Sequence, residues 1–135
     1  MYLLDSNAWI AIFRGKSSHL IAEVKRRPQS EIAICPVVIA ELWYGACRSA
    51  APHRAGNQAL IDGLRNMYSS LPFNDVAAID CAELRAELAA VGQPIGPYDL
   101  LIAAIARVHS ATLVTHNVAE FARVPGLSIE DWQIS

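Results

Sequence analysis

The sequence predicts an α/β fold, a short and mostly parallel sheet with helices on both faces. Three observations predict it. Short apolar runs alternate along the chain with longer segments of helical spacing. The short runs do not alternate polar with apolar residues, which is the pattern of strands buried on both faces. The helical segments lie between them, where parallel strands need crossovers. At 135 residues the chain fits one core, so residues 1–135 are read as a single domain.

Tyr2 to Leu4 reads as a short buried strand ending at Asp5. Ser6 can cap the next helix, with Asn7 as a turn residue. Ala8, Trp9, Ile12 and Phe13 follow at helical spacing, and Gly15 is the stop. Residues 18–27 form a second short helix, closed by Pro28. Residues 32–35 are a strand, and Pro36 lets a helix start over 37–48. Residues 53–69 and 75–91 are longer amphipathic helices, with Leu84, Leu88 and Val91 on one face of the latter. Pro97 suits a first helical position, and a nearly all-apolar helix follows over 97–109. Residues 111–115 are a strand, 117–123 a short helix and 127–129 a final strand. Asn117 and Glu120 have the spacing of a capping box.

Composition narrows the class. The chain is 53% hydrophobic and 18% charged, so it is globular rather than disordered. No run approaches the roughly 18–20 apolar residues of a membrane span. The opening M-Y-L-L-D has no basic region ahead of an apolar one, so neither a leader nor a membrane role is expected. Three cysteines at wide gaps suit neither a disulfide framework nor a zinc site, and a reduced cytoplasmic protein is the expectation. A net charge of −2 leaves no basic footprint, so any polyanion must be met locally, by basic side chains or by a metal.

Two stretches contradict their own burial. Glu41 is the one acid in C-P-V-V-I-A-E-L-W-Y-G-A, and Asp99 the one charge in G-P-Y-D-L-L-I-A-A-I-A. An ionised carboxylate buried without a partner costs several kcal/mol, so it takes a proton or finds a cation. Asp5 ends the first strand, and Thr115 and Asn117 end the strand L-V-T. Ligands of parallel sheets sit beyond the carboxyl ends of the strands, so all these positions can face one edge. Mg²⁺ or Mn²⁺ would reconcile clustered carboxylates, activate a water and neutralise a phosphate oxygen. Asp5, Glu41 and Asp99 therefore point to metal-assisted phosphodiester hydrolysis.

Plainer readings stand beside this one. Asp5 could be a turn or cap residue, and Asp99 could serve the helix dipole. Glu41 has no cap role but could pair with a buried arginine. The capping box could account for Asn117 and Glu120. The four histidines show no ligand spacing, and His116 lies nearest the acids. Lys25-Arg26-Arg27 reads as a solvated face, while Arg14 could touch phosphate. Trp9, Trp43 and Tyr44 read as core or interface aromatics.

The residues, in this order, resemble a PIN-domain nuclease, most closely the VapC-type toxins of bacterial toxin–antitoxin pairs. The pieces are L-L-D-S-N, V-I-A-E-L-W-Y-G-A, E-L-A-A-V-G-Q-P-I-G-P-Y-D-L-L-I-A-A-I-A and L-V-T-H-N-V-A-E-F-A-R-V, with G-L-S-I-E-D-W at the close. The resemblance implies a three-layer α/β/α domain and a Mg²⁺- or Mn²⁺-dependent endoribonuclease. It implies that Asp5 and Asp99 are direct metal ligands, and that Glu41 is a third ligand, orders the metal's water shell or takes a proton. Ser6 matches the hydroxyl residue after the first acid, and Thr115 and Asn117 match the last motif. Many relatives carry a fourth acid where this chain has Asn117, so Glu120 or a water is left to fill that place. The resemblance further implies an RNA substrate, tRNA among the candidates, together with a homodimer and a cognate antitoxin. That antitoxin would lay a segment over the acids, with an arginine forked onto a carboxylate, and would carry the hetero-oligomer to operator DNA. Rival functions are a haloacid-dehalogenase-type phosphatase, a PIN nuclease of RNA processing, and a PIN module that only binds. The first needs an aspartate where Asn7 stands and a later acidic pair, and the only adjacent pair is Glu130-Asp131 near the end.

Overall fold

The computed structural model describes residues 1–134. In chain order the elements are β1 (Tyr2–Leu4), α1 (Ser6–Phe13), α2 (Ser18–Arg26), a 3-10 turn (Gln29–Glu31), β2 (Ile32–Ile34) and α3 (Pro36–Cys47). There follow α4 (Ala51–Met67), β3 (Ser69–Ser70), α5 (Asp75–Ala90), α6 (Pro97–Val108), β4 (Thr112–Val114), α7 (Val118–Phe121) and β5 (Ile129–Glu130). The five strands form one sheet in the order β3-β2-β1-β4-β5, and every pair is parallel.

Successive side chains of a strand point to opposite faces. Leu3 and Leu4 of β1 are both fully buried, as are Ile32, Ala33 and Ile34 of β2. Both faces of the sheet are therefore covered, which makes the three layers the sequence predicts. The core continues into α6, where residues 102–106 are all buried. The charge in its last turn, Arg107, pairs with Asp80 of α5 at 2.9 Å.

Local signals explain most of the boundaries. Prolines open α3 and α6 at positions where the missing N–H costs nothing. Asn74 caps α5 by accepting from the Ala77 N–H at 3.0 Å. Gly15 follows α1 at φ +63°, a conformation that favours glycine. Four expectations need correction. The strand β3 was not foreseen, because Ser69–Ser70 has neither apolar character nor strand propensity; only its pairing with Ala33 and Ile34 makes it a strand. Val91 does not share the buried face of Leu84 and Leu88, since it lies past the last turn of α5 and is exposed. The last strand falls on Ile129–Glu130, slightly later than expected. The basic run ending α2 is only partly solvated: Arg27 pairs with Glu23 and lies 4.7 Å from the centre of the Tyr2 ring and 4.1 Å from that of Trp132. Among the described residues no helix is long and apolar enough to cross a membrane, and the three cysteines are free thiols.

Candidate active site

The sheet ladder runs one residue past its strands. The Asp5 N–H donates to the Val114 carbonyl at 3.1 Å, and the Thr115 N–H donates to the Glu130 carbonyl at 3.0 Å. Asp5, Thr115 and Asp131 thus leave the carboxyl ends of three neighbouring strands, β1, β4 and β5.

Asp5 is buried and both its oxygens are engaged. Oδ1 accepts from the Ala8 N–H at 2.9 Å, and Oδ2 accepts from the Thr115 hydroxyl at 2.6 Å. Thr115 Oγ1 in turn accepts from the Asn117 N–H at 3.0 Å. Asp5, not Ser6, is therefore the cap of α1. Both residue types cap well, and the cap falls to the last extended residue before the helix. Ser6 instead lies in the first turn and donates its hydroxyl to Glu41 Oε1 at 2.6 Å, tying α1 to α3. Glu41 is half-buried and makes no ion pair among the described residues, so the buried-arginine alternative fails.

The opposite side of the edge is built by Asp99, Asn117 and Glu120. Glu120 Oε1 accepts from the Gly96 N–H at 2.7 Å, and Oε2 accepts from the Asn117 side-chain amide at 2.7 Å. The capping box is therefore not formed. Its two side chains bond each other, and the Asn117 N–H goes to Thr115. A methyl group placed on Gly96 would stand 3.5 Å from Asp99 Oδ2 and 3.6 Å from Glu120 Oε1, so these two carboxylates flank the same stretch of backbone.

The electrostatics follow from this crowding. Burial pushes the Asp5 carboxyl above the usual range; the charges of Glu41 and Asp131 add to the rise, and the Thr115 and Ala8 hydrogen bonds oppose it. Asp99 is pushed up to about 6, by burial first and then by the charges of Glu120, Glu41 and Asp5. Glu120 is held below its usual range, by the Gly96 N–H first and with help from Asn117 and Asp99. Asp99 and Glu120, side by side, are thus shifted in opposite directions.

Every donor here is a hard oxygen, which suits Mg²⁺ or Mn²⁺ and not a soft metal. Among the described residues no three His, Cys, Asp or Glu side chains close into a ready-made cage. Of the residues the sequence singles out, Asp5, Ser6, Glu41, Asp99, Thr115, Asn117 and Glu120 gather here. Asn7 does not join them, being exposed on α1 with no side-chain hydrogen bond among the described residues. Asp131 is the residue that sequence reasoning missed. It acts on Asp5 by charge and accepts or shares a hydrogen bond with His116 Nδ1 at 2.9 Å. The one signal in the sequence is the acidic pair Glu130-Asp131, whose first member lies in β5.

A parallel sheet with an acidic carboxyl edge defines a class, and the relatives narrow it. Residues 2–127 match the PIN domain family. The tRNA(fMet)-specific endonuclease VapC of Salmonella typhimurium strain LT2 is 40% identical over 131 residues, 97% of each chain. That of Shigella flexneri is 38% identical over the same share. Among solved structures, DNA-bound VapBC from Salmonella typhimurium matches with a TM-score of 0.88 at 40% identity, over 97% of each chain. VapBC2 from Rickettsia felis, bound to a DNA fragment from their promoter, gives a TM-score of 0.88 at 33% identity, over 97% of this chain and 98% of that one. This chain belongs to the PIN-domain family and, within it, to the VapC ribonucleases.

Proposed function

We propose that the chain is a divalent-metal-dependent endoribonuclease, the toxin of a toxin–antitoxin pair, restrained by a cognate antitoxin. One observation carries the reading: Asp5, Glu41 and Asp99 meet at one sheet edge with no cation among the described side chains to neutralise them. Asp5 and Asp99 would hold the Mg²⁺ or Mn²⁺ ion, with Glu41 beside it. The bound ion supplies an activated water and charge at the phosphate. The side chains do the rest. The Ala8 and Thr115 bonds fix Asp5 in place. Ser6 holds Glu41 where it can order a water or take its proton. Asn117 spends one amide hydrogen on Glu120, which leaves its other N–H and its carbonyl for a water or a phosphate oxygen. Glu120 positions Asn117 and the backbone that leads into Asp99.

The curated relatives named above act on tRNA(fMet), so tRNA is the first substrate class for this chain. The solved VapBC complexes support an antitoxin partner. An arginine of that partner would fork onto one of the carboxylates. The reading further takes residues 1–135 as one domain that works in the cytoplasm as a homodimer within a toxin–antitoxin hetero-oligomer.

The test is cleavage of total tRNA by purified protein with Mg²⁺, with Mn²⁺ and with EDTA, beside the Asp5→Asn and Asp99→Asn variants. Discrete, metal-requiring cuts absent from both variants are expected. A folded protein that cuts nothing with either metal overturns the nuclease and leaves a binding module. Toxicity on expression, relieved by the neighbouring reading frame, separates a toxin from an RNA-processing nuclease.

A further inference from the structure

The acidic edge opens at Glu41 into a cleft of about 470 Å³ between α1, α3 and α4. Its floor is apolar, with Ile10, Phe13, Leu42 and Leu60 among its walls, and Glu41 is its one acid. Its far end carries Arg14 after α1 and Arg48 after α3. Neither guanidinium makes an ion pair among the described residues, and that of Arg48 lies 5.4 Å from the centre of the exposed Tyr44 ring. A third arginine, Arg54, donates to the Ser49 carbonyl at the same end, at 3.3 Å. By contrast, Arg123 on the opposite flank of the acids is tied to the Pro94 carbonyl at 2.9 Å.

We propose that this cleft seats the single-stranded RNA next to the scissile phosphate, with Arg14 and Arg48 gripping its phosphates and Phe13 stacking an unpaired base. The inference rests on the nuclease reading and names how its substrate is held. Arg48 lies seven residues beyond Glu41, roughly 10 Å at 1.5 Å per helical residue. A chain with net charge −2 must meet a polyanion locally, and here two unpaired arginines border the cleft that leads to the acids. An apolar, aromatic-bearing wall with arginines at its end is the arrangement that unstacked RNA requires.

The plainer role of both arginines is to cap α1 and α3, where positive charge complements the helix dipole. The test separates the two. Binding of a fluorescein-labelled single-stranded RNA of mixed sequence is measured against KCl concentration on the full chain carrying Asp99→Asn, so that the RNA survives. Adding Arg14→Gln and Arg48→Gln should weaken binding about tenfold and reduce the log–log salt slope by about 1.4, with melting unchanged. Arg14→Lys with Arg48→Lys should keep the slope. Phe13→Leu should weaken binding at least about fivefold without changing the slope. Affinity and slope that ignore the arginines overturn the inference, even where the wild type cuts tRNA. A loss that tracks melting, and that lysine does not rescue, leaves them as caps only and overturns it too. If the arginine variants lose an antitoxin peptide and not the RNA, the cleft is a protein seat and the inference fails. A wild type that cuts nothing, yet binds RNA through both arginines, fails the nuclease reading alone.

Discussion

The two sides of the acidic edge are held in opposite ways. On one side Asp5 is buried, with a backbone N–H on one oxygen and a hydroxyl on the other. On the other side Asp99 is half-buried and accepts no hydrogen bond among the described residues; its neighbours are carboxylates. Hydrogen bonds position the first acid, while burial and then neighbouring charge act on the second. A carboxylate fixed on both oxygens thus faces one that is free to adjust.

That contrast can be broken from either side. The largest effect belongs to the acids themselves: Asp5→Asn and Asp99→Asn should each slow RNA cleavage on the order of 10³-fold, since each removes a carboxylate proposed to hold the ion and with it several kcal/mol of transition-state stabilisation. A variant that kept most of its rate would remove that residue from the metal site. Thr115→Val comes next. It deletes the donor to a buried carboxylate and the acceptor of the Asn117 N–H, so urea unfolding should show a loss of about 1–3 kcal/mol. Glu120→Gln, which acts on the adjustable side, should cost far less stability than Thr115→Val; equal losses would erase the contrast.

The pH dependence is smaller and has a definite sign. Asp99 rises from 3.8 to about 6 on folding, so the folded state favours its proton. Its contribution is full below about pH 4 and is lost as the pH rises through about 6. Because Asp99 is half-exposed, the discounted loss is about 1 kcal/mol. Burial pushes Asp5 the same way, while Glu120 opposes them, its share being lost as the pH falls. Metal-free protein should therefore melt higher near pH 5 than at pH 7.5; excess Mg²⁺ should reverse the order, and Asp99→Asn should reduce the difference. Ser6→Ala follows, at about 1 kcal/mol with a several-fold slower cut. Asn7→Ala closes the series, with stability unchanged within about 0.5 kcal/mol and cleavage unaltered.

The acids were legible because a charge inside an apolar run is a contradiction visible without coordinates. Glu41 and Asp99 announce themselves this way, and Asp5 does so by ending an apolar strand. The helices were legible from their prolines and their spacing. Partner choice among polar residues was not. Asp5 and Ser6 are equally good caps, and only the end of β1 decides between them. Asn117 and Glu120 fit a capping box, yet Gly96, distant in sequence, draws Glu120 away. Asp131 stayed hidden because the two-residue strand before it carries no apolar run, and β3 because its pairing, not its composition, makes it a strand.

The strand order carries one more consequence, and it concerns time. The strand β1 is made first, but in the sheet it lies between β2 and β4. Asp5 takes its hydroxyl partner from Thr115, 110 residues later. A growing chain therefore displays Asp5 and Glu41 long before Asp99 and Thr115 leave the ribosome. An enzyme that destroys RNA stays unfinished until Thr115 has followed Asp5, Glu41 and Asp99 out, and only then does the edge close.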